Sequence, residues 1–329
     1  MSVLHEAYAQ ASQRTAVVEE RLLFAGRPAS LCIAGRALAQ ATLGAFGHLR
    51  GGDERDPELT IELWDESATG IPLPFEEPAA PRVSVDRGGI RHEGRGSVTE
   101  LRRIERRITG WRARAGSLSP EERMKPLPVV LPLFLLERGV SPVHGGLVAV
   151  DGRGALLAGA AGAGKTTAAL ACAASGFSFL ADDSFGLEEA DGAFTGHSLY
   201  ASAWLAEDHL RRHPHLRCGR TSHRTAGKTI LFPGTAPRVS VARSSPIRVI
   251  VLPTGGRGTG DGLRPAAEHD AFRALAPMSV VGVSSIAASW ILERLAGLVR
   301  ALPAFWLDAG ADPSAIPALV AEALRTARL

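Results

Sequence analysis

Apolar positions along the chain follow two periods. Short β-branched and aliphatic stretches at 30–34, 59–64 and 82–85 predict strands, and the run at 37–49 predicts a helix. Leu101, Ile104 and Ile108 recur at helical spacing among Arg102, Arg103, Arg106 and Arg107, which predicts an amphipathic helix over 99–114. Glycine- and proline-rich stretches at 51–57 and 70–81 read as loops, and the Ser/Pro/charged stretch 116–126 reads as a link leading into a helix that ends by Gly139. Further on, 143–150 and 155–158 form a hairpin around Asp151-Gly152. A helix follows at 168–174, then a strand at 177–181. Strands at 229–232, 247–252 and 304–307 and helices starting at Ala267, Ile286 and Ser314 complete the pattern, with Gly255 to Gly262 as a loop. Ile291, Leu292, Leu295 and Leu298 form one core face. The prediction is a small α+β domain over 1–125, followed by an α/β domain over 126–329, with no internal repeat.

The chemistry is concentrated in the second part. Residues Gly159, Ala160, Ala161, Gly162, Ala163, Gly164, Lys165, Thr166 and Thr167 match GxxxxGK[ST], between an apolar run and a helix-forming run. A polyphosphate needs inward-facing backbone N–H groups, residues without Cβ where the chain passes close, and a cation. The three glycines and Lys165 meet those needs. The Thr166 hydroxyl stands where Mg2+ is held, and the helix that starts there turns its positive dipole end to the phosphates. The chain contains 36 Gly but only three Lys, Lys125, Lys165 and Lys228, so the motif is not a by-product of composition. Lys228 on its own reads as an ordinary surface lysine. Seventeen positions after Lys165, the strand at 177–181 ends in Asp182-Asp183. A parallel β-α-β unit brings both strand ends to one edge, so these carboxylates arrive beside Lys165 and Thr166. One of them can hold Mg2+ through water while the other faces an acceptor hydroxyl. His144, at the entrance of the preceding hairpin, is positioned to reach the far end of the phosphates.

The segments Val143-His144-Gly145, the glycine-rich loop and Leu180-Ala181-Asp182-Asp183, in that order and spacing, resemble the core of the HPr kinase/phosphorylase family. These are serine kinases whose C-terminal domain is also similar to phosphoenolpyruvate carboxykinase. The resemblance is strongest over 140–190. Weaker similarity to the wider group of related proteins lies at 196–200, 228–233 and 302–308. The resemblance implies an α/β fold with a P-loop kinase core of this type, using ATP and Mg2+. It assigns Lys165 to the phosphates, Thr166 and Asp183 to the metal, and Asp182 to the role of general base, with His144 beside that base. It implies a serine of a peptide or protein as acceptor, and homo-oligomers. The chain departs from the family where a Glu-Ile-Arg-Gly signature is expected: the stretch from Ala201 reads Ala-Ser-Ala-Trp-Leu-Ala-Glu207-Asp208-His209. A phosphorylase activity is therefore not expected, and Glu207 or Asp208 is the candidate substitute ligand. The first 130 residues do not match the family's N-terminal domain, which argues against HPr as the acceptor. A small-molecule kinase and a non-catalytic nucleotide-binding switch stand as alternatives.

Charge and composition narrow the classes. A formal net charge of +3, mostly from arginine, with 5% aromatic residues and no aromatic-basic alternation, gives no nucleic-acid signature. Cys32, Cys172 and Cys218 are too few and too scattered for a disulfide framework. The N-terminal residues carry no basic region followed by an apolar stretch, and the longest apolar run, 127–136, is too short for a bilayer, so the expected location is cytoplasmic without a membrane span. His209, His213, His215 and His223 are interleaved with Arg211, Arg212, Arg217, Arg220 and Arg224. The segment 219–227 has the composition of a loop able to close over ATP or an acidic acceptor, and Pro214 weighs against a zinc site on one helix face.

Overall fold

The computed structural model describes residues 2–51, 55–225, 227–256, 262–281, 285–310 and 312–327, with backbone only at 220–225 and 285–286. The fold is mixed α/β, and the chain divides into two compact units, Met1–Phe134 and Leu135–Leu329. Among the described residues no helix is long and apolar enough to cross a membrane.

The first unit runs α1 (Val3–Ser12), β1 (Val17–Phe24), β2 (Arg27–Ala34), α2 (Arg36–Phe46), β3 (Leu59–Asp65) and α3 (Glu66–Thr69). It continues through β4 (Arg82–Val85), β5 (Gly89–Gly94), β6 (Ser97–Arg102), β7 (Arg107–Arg112) and α4 (Pro120–Met124), and α5 (Val130–Leu136) spans the division. Its strands form one sheet in the order β1-β2-β3-β7-β6-β5-β4, with β2, β3 and β7 parallel. One sheet face carries Ala34, Trp64, Trp111 and Val98 in register across four strands, and α1 covers them with Leu4, Ala7, Tyr8 and Ala11. The adjacent row on that face is polar: His5 of α1 and Ser2, the N-cap of that helix, bond the buried carboxylates of Glu62 and Glu100. Each buried acid thus has a partner, as burial of charge requires.

The strands predicted at 30–34, 59–64 and 82–85 are present, as is the helix at 37–49, whose last turn is 3-10. The helix predicted over 99–114 is instead the β6–β7 hairpin, in which Leu101 lies opposite Ile108 and Val98 opposite Trp111. The spacing of 101, 104 and 108 fits a helix only by coincidence. Ile104, 93% exposed, is at the hairpin tip, where Arg106 takes a left-handed φ of 47°. The stretch from Ser97 to Leu101 is buried at every position, which a sheet interior allows and a one-sided helix does not. In the 116–126 segment, α4 is opened by a capping box between Ser119 and Glu122.

The second unit contains β8 (Val140–His144), β9 (Gly146–Val150), β10 (Arg153–Leu157), α6 (Lys165–Ala174), β11 (Ser178–Ala181), β12 (Ser184–Ala190), β13 (Ala193–Ser198) and β14 (Ala203–Ala206). After these come α7 (Glu207–Arg212), β15 (Arg220–Thr225), β16 (Lys228–Phe232), β17 (Ser244–Pro253) and β18 (Gly262–Ala266), then α8 (Glu268–Ser279), α9 (Ser285–Ala301), β19 (Ala304–Asp308) and α10 (Ile316–Thr326). The main sheet follows β11-β9-β10-β17-β13-β12-β8, and β17 also pairs in parallel with β19. Strands β10 and β11 run parallel, as expected, but β9 lies between them and is antiparallel to both. Helix α6 makes the crossover and packs on β9, β11 and α10. Its side chains from Ala168 to Ala173 are all buried. A helix apolar all round belongs in a core, and its alanines let the sheet and α10 approach closely. Strands β14, β16 and β15 form a separate three-stranded sheet. It includes most of the segment 219–227, expected as a loop, because β15 pairs antiparallel with β16. Most of the loop expected at Gly255 to Gly262 and part of that at 51–57 lie outside the described residues.

Replacing Ile108 by Ala, which empties a fully buried position, is expected to destabilise the protein by about 2–5 kcal/mol. Ile104→Ser at the exposed tip is expected to stay within about 0.5 kcal/mol. Thermal unfolding of the full chain reads both, and equal losses would argue against the hairpin.

Candidate functional site

The site is built where β10 gives way to α6. The Ala158 N–H donates to Val251 O (2.9 Å), so pairing with β17 continues up to the turn. Gly159, Gly162 and Gly164 then take φ of 154°, 79° and 97°, values that L side chains resist. At Gly159 a Cβ would stand 2.8 Å from the Ala163 Cβ. Gly164 is the N-cap of α6 and offers no side-chain acceptor, so the first amides of the helix have no side-chain cap. Lys165 arches back over the loop, its Nζ donating to Gly159 O (2.8 Å) and Ala160 O (3.2 Å). Burial lowers its pKa, and the charges of Asp182 and Asp183 oppose that shift. Ala160 and Ala161 are exposed on the loop crest.

Helix α6 ends in a Schellman motif: Gly176, at φ 95°, donates to Ala173 O, and Phe177 N–H donates to Cys172 O. The chain therefore turns directly into β11, and the Asp pair emerges at its C-terminal end. Asp182 is 4% exposed. Its Oδ2 accepts from the Trp204 N–H (3.2 Å), and its Oδ1 is buried with no hydrogen-bond partner among the described residues. Burial pushes the Asp182 carboxyl up to about 7, reinforced by Asp183 and opposed by the Thr166 hydroxyl, the Trp204 N–H and Lys165. Asp183 is more open. Its Oδ1 lies 3.4 Å from His144 Nδ1, and its carbonyl accepts from the Gly145 N–H. The His144 backbone N–H in turn donates to Ser279 Oγ (3.0 Å). Lys165, Thr166, Asp182, Asp183 and His144 thus form one chain of neighbours, with His144 paired to Asp183.

A cavity of about 580 Å³ opens beside Lys165 and Thr166; Asp182, Asp183 and His144 are not among its lining residues. The loop side is formed by Gly162 and Gly164 to Thr167. A second wall comes from Trp204, His209 and Lys228, and a third from Gly255, Gly256 and Gly310. Thr167 Oγ1 lies 3.3 Å from His209 Nε2. Burial lowers the His209 pKa, with the neighbouring His213 and Arg212 adding to the shift. The rings of His209, His213 and His215 follow one another at 4.7 and 5.9 Å. Glu207 accepts from the Thr229 hydroxyl, while Asp208 lines the cavity and pairs with Arg212 at 3.5 Å. The side chains of Arg220, His223 and Arg224 lie outside the described residues.

The glycine wall went unread in the sequence, although a signal was present. Strands β17 and β19 run parallel to β10, so their C-terminal loops must gather at the same edge, where ligand crevices of open α/β sheets form. Trp204 gave no such signal, because it arrives on the separate three-stranded sheet.

The residues present suit a polyphosphate and a divalent cation. The loop is glycine-lined with left-handed turns, has no room for a Cβ at Gly159, and is closed over by the Lys165 ammonium. The orphaned Asp182 Oδ1, together with the nearby Thr166 hydroxyl and the Asp183 carboxylate, is the kind of oxygen set that a hydrated Mg2+ takes. No protein-family model matches the chain, and no curated protein matches its sequence. Among solved structures, it is similar to the Hpr(Ser) kinase/phosphatase from Coxiella burnetii, with a TM-score of 0.30 and 15% identity over 57% of this chain and 96% of that one.

Asp182 binds its proton more tightly in the folded state, so it favours folding below about pH 4, and that contribution is lost as the pH rises through about 7. Asp182→Asn is therefore expected to gain stability over the wild type between pH 4 and pH 8, by at most about 4 kcal/mol in the metal-free protein. Thermal unfolding of the two proteins across that range checks the sign.

Proposed function

We propose that the chain is an ATP- and Mg2+-dependent kinase that moves the γ-phosphoryl group to a hydroxyl, a serine of a peptide or protein, without phosphorylase activity. The observation that carries this reading is geometric: a buried carboxylate, Asp182, with an unpartnered Oδ1 emerges at the strand end close to a glycine-rich helix-start loop whose lysine folds back over it. The loop amides and Lys165 bind and orient the phosphates, releasing the Nζ from the two carbonyls it now holds. Thr166 and Asp183 would hold Mg2+, which when bound would supply charge neutralisation on the phosphates. Asp182 accepts the acceptor's proton as the hydroxyl oxygen bonds to the γ-phosphorus and the bond to the β–γ bridging oxygen breaks, leaving ADP. A base with a pKa near 7 is present in its working form at neutral pH, and positioning and electrostatics do most of the work.

Two contacts favour a second partition of roles within the same reaction. Thr166 stands beside Asp182, and His144 pairs with Asp183, an arrangement in which Asp182 serves the metal and Asp183 with His144 serves the acceptor. Mg2+ titrations separate the two. The carboxylate whose Asn variant raises the half-saturating Mg2+ is the metal's. The one whose variant lowers kcat by about a hundredfold to ten-thousandfold at saturating Mg2+ is the base.

The kinase reading is tested with γ-labelled ATP, a serine-containing peptide pool and a set of small hydroxylated metabolites, with Lys165→Ala and Asp182→Asn as controls. Label on a peptide serine, lost in both variants, is the expected result. Label only on metabolites identifies a small-molecule kinase, and tight ATP binding without transfer identifies a nucleotide-binding switch.

A further inference from the structure

We propose that Lys228, seated on the Trp204 indole, is a second phosphate-binding cation of the cavity and acts on the donor's polyphosphate together with Lys165. This rests on the nucleotide reading of the cavity given above. Lys228 lines the same cavity as Lys165, Thr166 and Thr167 but comes from a different sheet. In the β14–β16 register Ala206 lies opposite Lys228 and Trp204 opposite Ile230, so Trp204 and Lys228 are diagonal neighbours on one sheet face. The Lys228 Nζ stands 4.9 Å from the centre of the Trp204 ring.

Three further observations give the ammonium a task. Lys228 is exposed, and no carboxylate among the described residues pairs with it, whereas Arg212 in the same cavity is tied to Asp208. Trp204 is itself anchored, because its backbone N–H is the donor to Asp182 Oδ2. The aromatic seat therefore fixes the cation relative to the carboxylate proposed for catalysis. Finally, the chain uses Arg for 34 of its 37 basic residues, yet this position and Lys165 carry Lys. A compact ammonium fits as a point charge between phosphate oxygens, where a planar guanidinium needs a bidentate approach. Lys165 alone meets the several negative charges of a triphosphate from the loop side. A cation held on an aromatic face is already ordered and partly dehydrated, so less is lost when phosphate reaches it. Trp204 is the positioning residue in this scheme, and Lys228 makes the contact.

The test is calorimetric binding of adenosine, AMP, ADP, ATP and pyrophosphate to the full chain and to Lys228→Met, Lys228→Arg and Trp204→Leu, with thermal unfolding to confirm that each variant is folded. Lys228→Met is expected to weaken ATP and pyrophosphate by about tenfold or more, the size of one charge-assisted contact, and adenosine by less than about twofold. Lys228→Arg is expected to recover part of the loss, and Trp204→Leu to reproduce part of it. ATP affinity within about twofold of wild type in Lys228→Met, or equal weakening of adenosine and ATP, overturns the proposal. A wild-type protein that binds none of these compounds overturns the nucleotide reading itself, a result visible before any variant is compared.

Discussion

Parallel pairing of β17 with β10 along one edge and β19 along the other constrains everything else in residues 135–329. Parallel strands end on a common edge, so the segments that follow them converge there whatever their sequence. Convergence leaves little room. A Cβ on Gly255 would stand 2.9 Å from Gly162 O, and one on Gly256 would stand 2.8 Å from Gly310 O. The three loops can meet only because these positions have no side chain. The unfavourable backbone entropy of so many left-handed glycines is offset by the dry core beneath, where α6, β10 and β17 bury nearly every apolar group.

The same crowding governs the electrostatics. Asp182 and Lys165 are both buried, and burial pushes each toward its neutral form, the acid upward and the amine downward, while each one's charge pulls the other back. Burial sets the direction in both groups, and the opposing charge only moderates it. An anion brought to the loop would favour the ammonium, and a cation brought to the acid would favour the carboxylate. The vacant hydrogen-bonding capacity of Asp182 Oδ1 belongs to the same balance.

What could be read in the sequence was what is local. The glycine-rich loop and the strand ending in Asp182-Asp183 each carry their signal within a few residues, and both are found where the sequence placed them. The hairpin at 97–112 was hidden because 101, 104 and 108 satisfy a helical period as well as two facing strands. Only the exposure of Ile104 breaks the tie, and exposure is not written in the sequence. The tight Asp151-Gly152 turn, legible in the sequence, seats β9 against β10, whereas the pairing of β9 with β11 on its other side is non-local and carries no local signal. The wall formed by Trp204 and Lys228 arises from pairing between strands more than twenty residues apart, and no local pattern announces it.

Helix α6 has a further consequence as a spacer. Its ten residues span about 15 Å, fixed at one end by Gly164 and at the other by the Schellman turn at Gly176. The separation of Lys165 and Asp182 along the chain is thus a mechanical dimension as much as a motif. One residue added within the helix would rotate everything beyond it by about 100° and carry the Asp pair off the edge where the loop waits. Length in this segment should therefore be far less free to drift than composition, and a chain of this architecture would betray itself by that interval even after most of its side chains had changed.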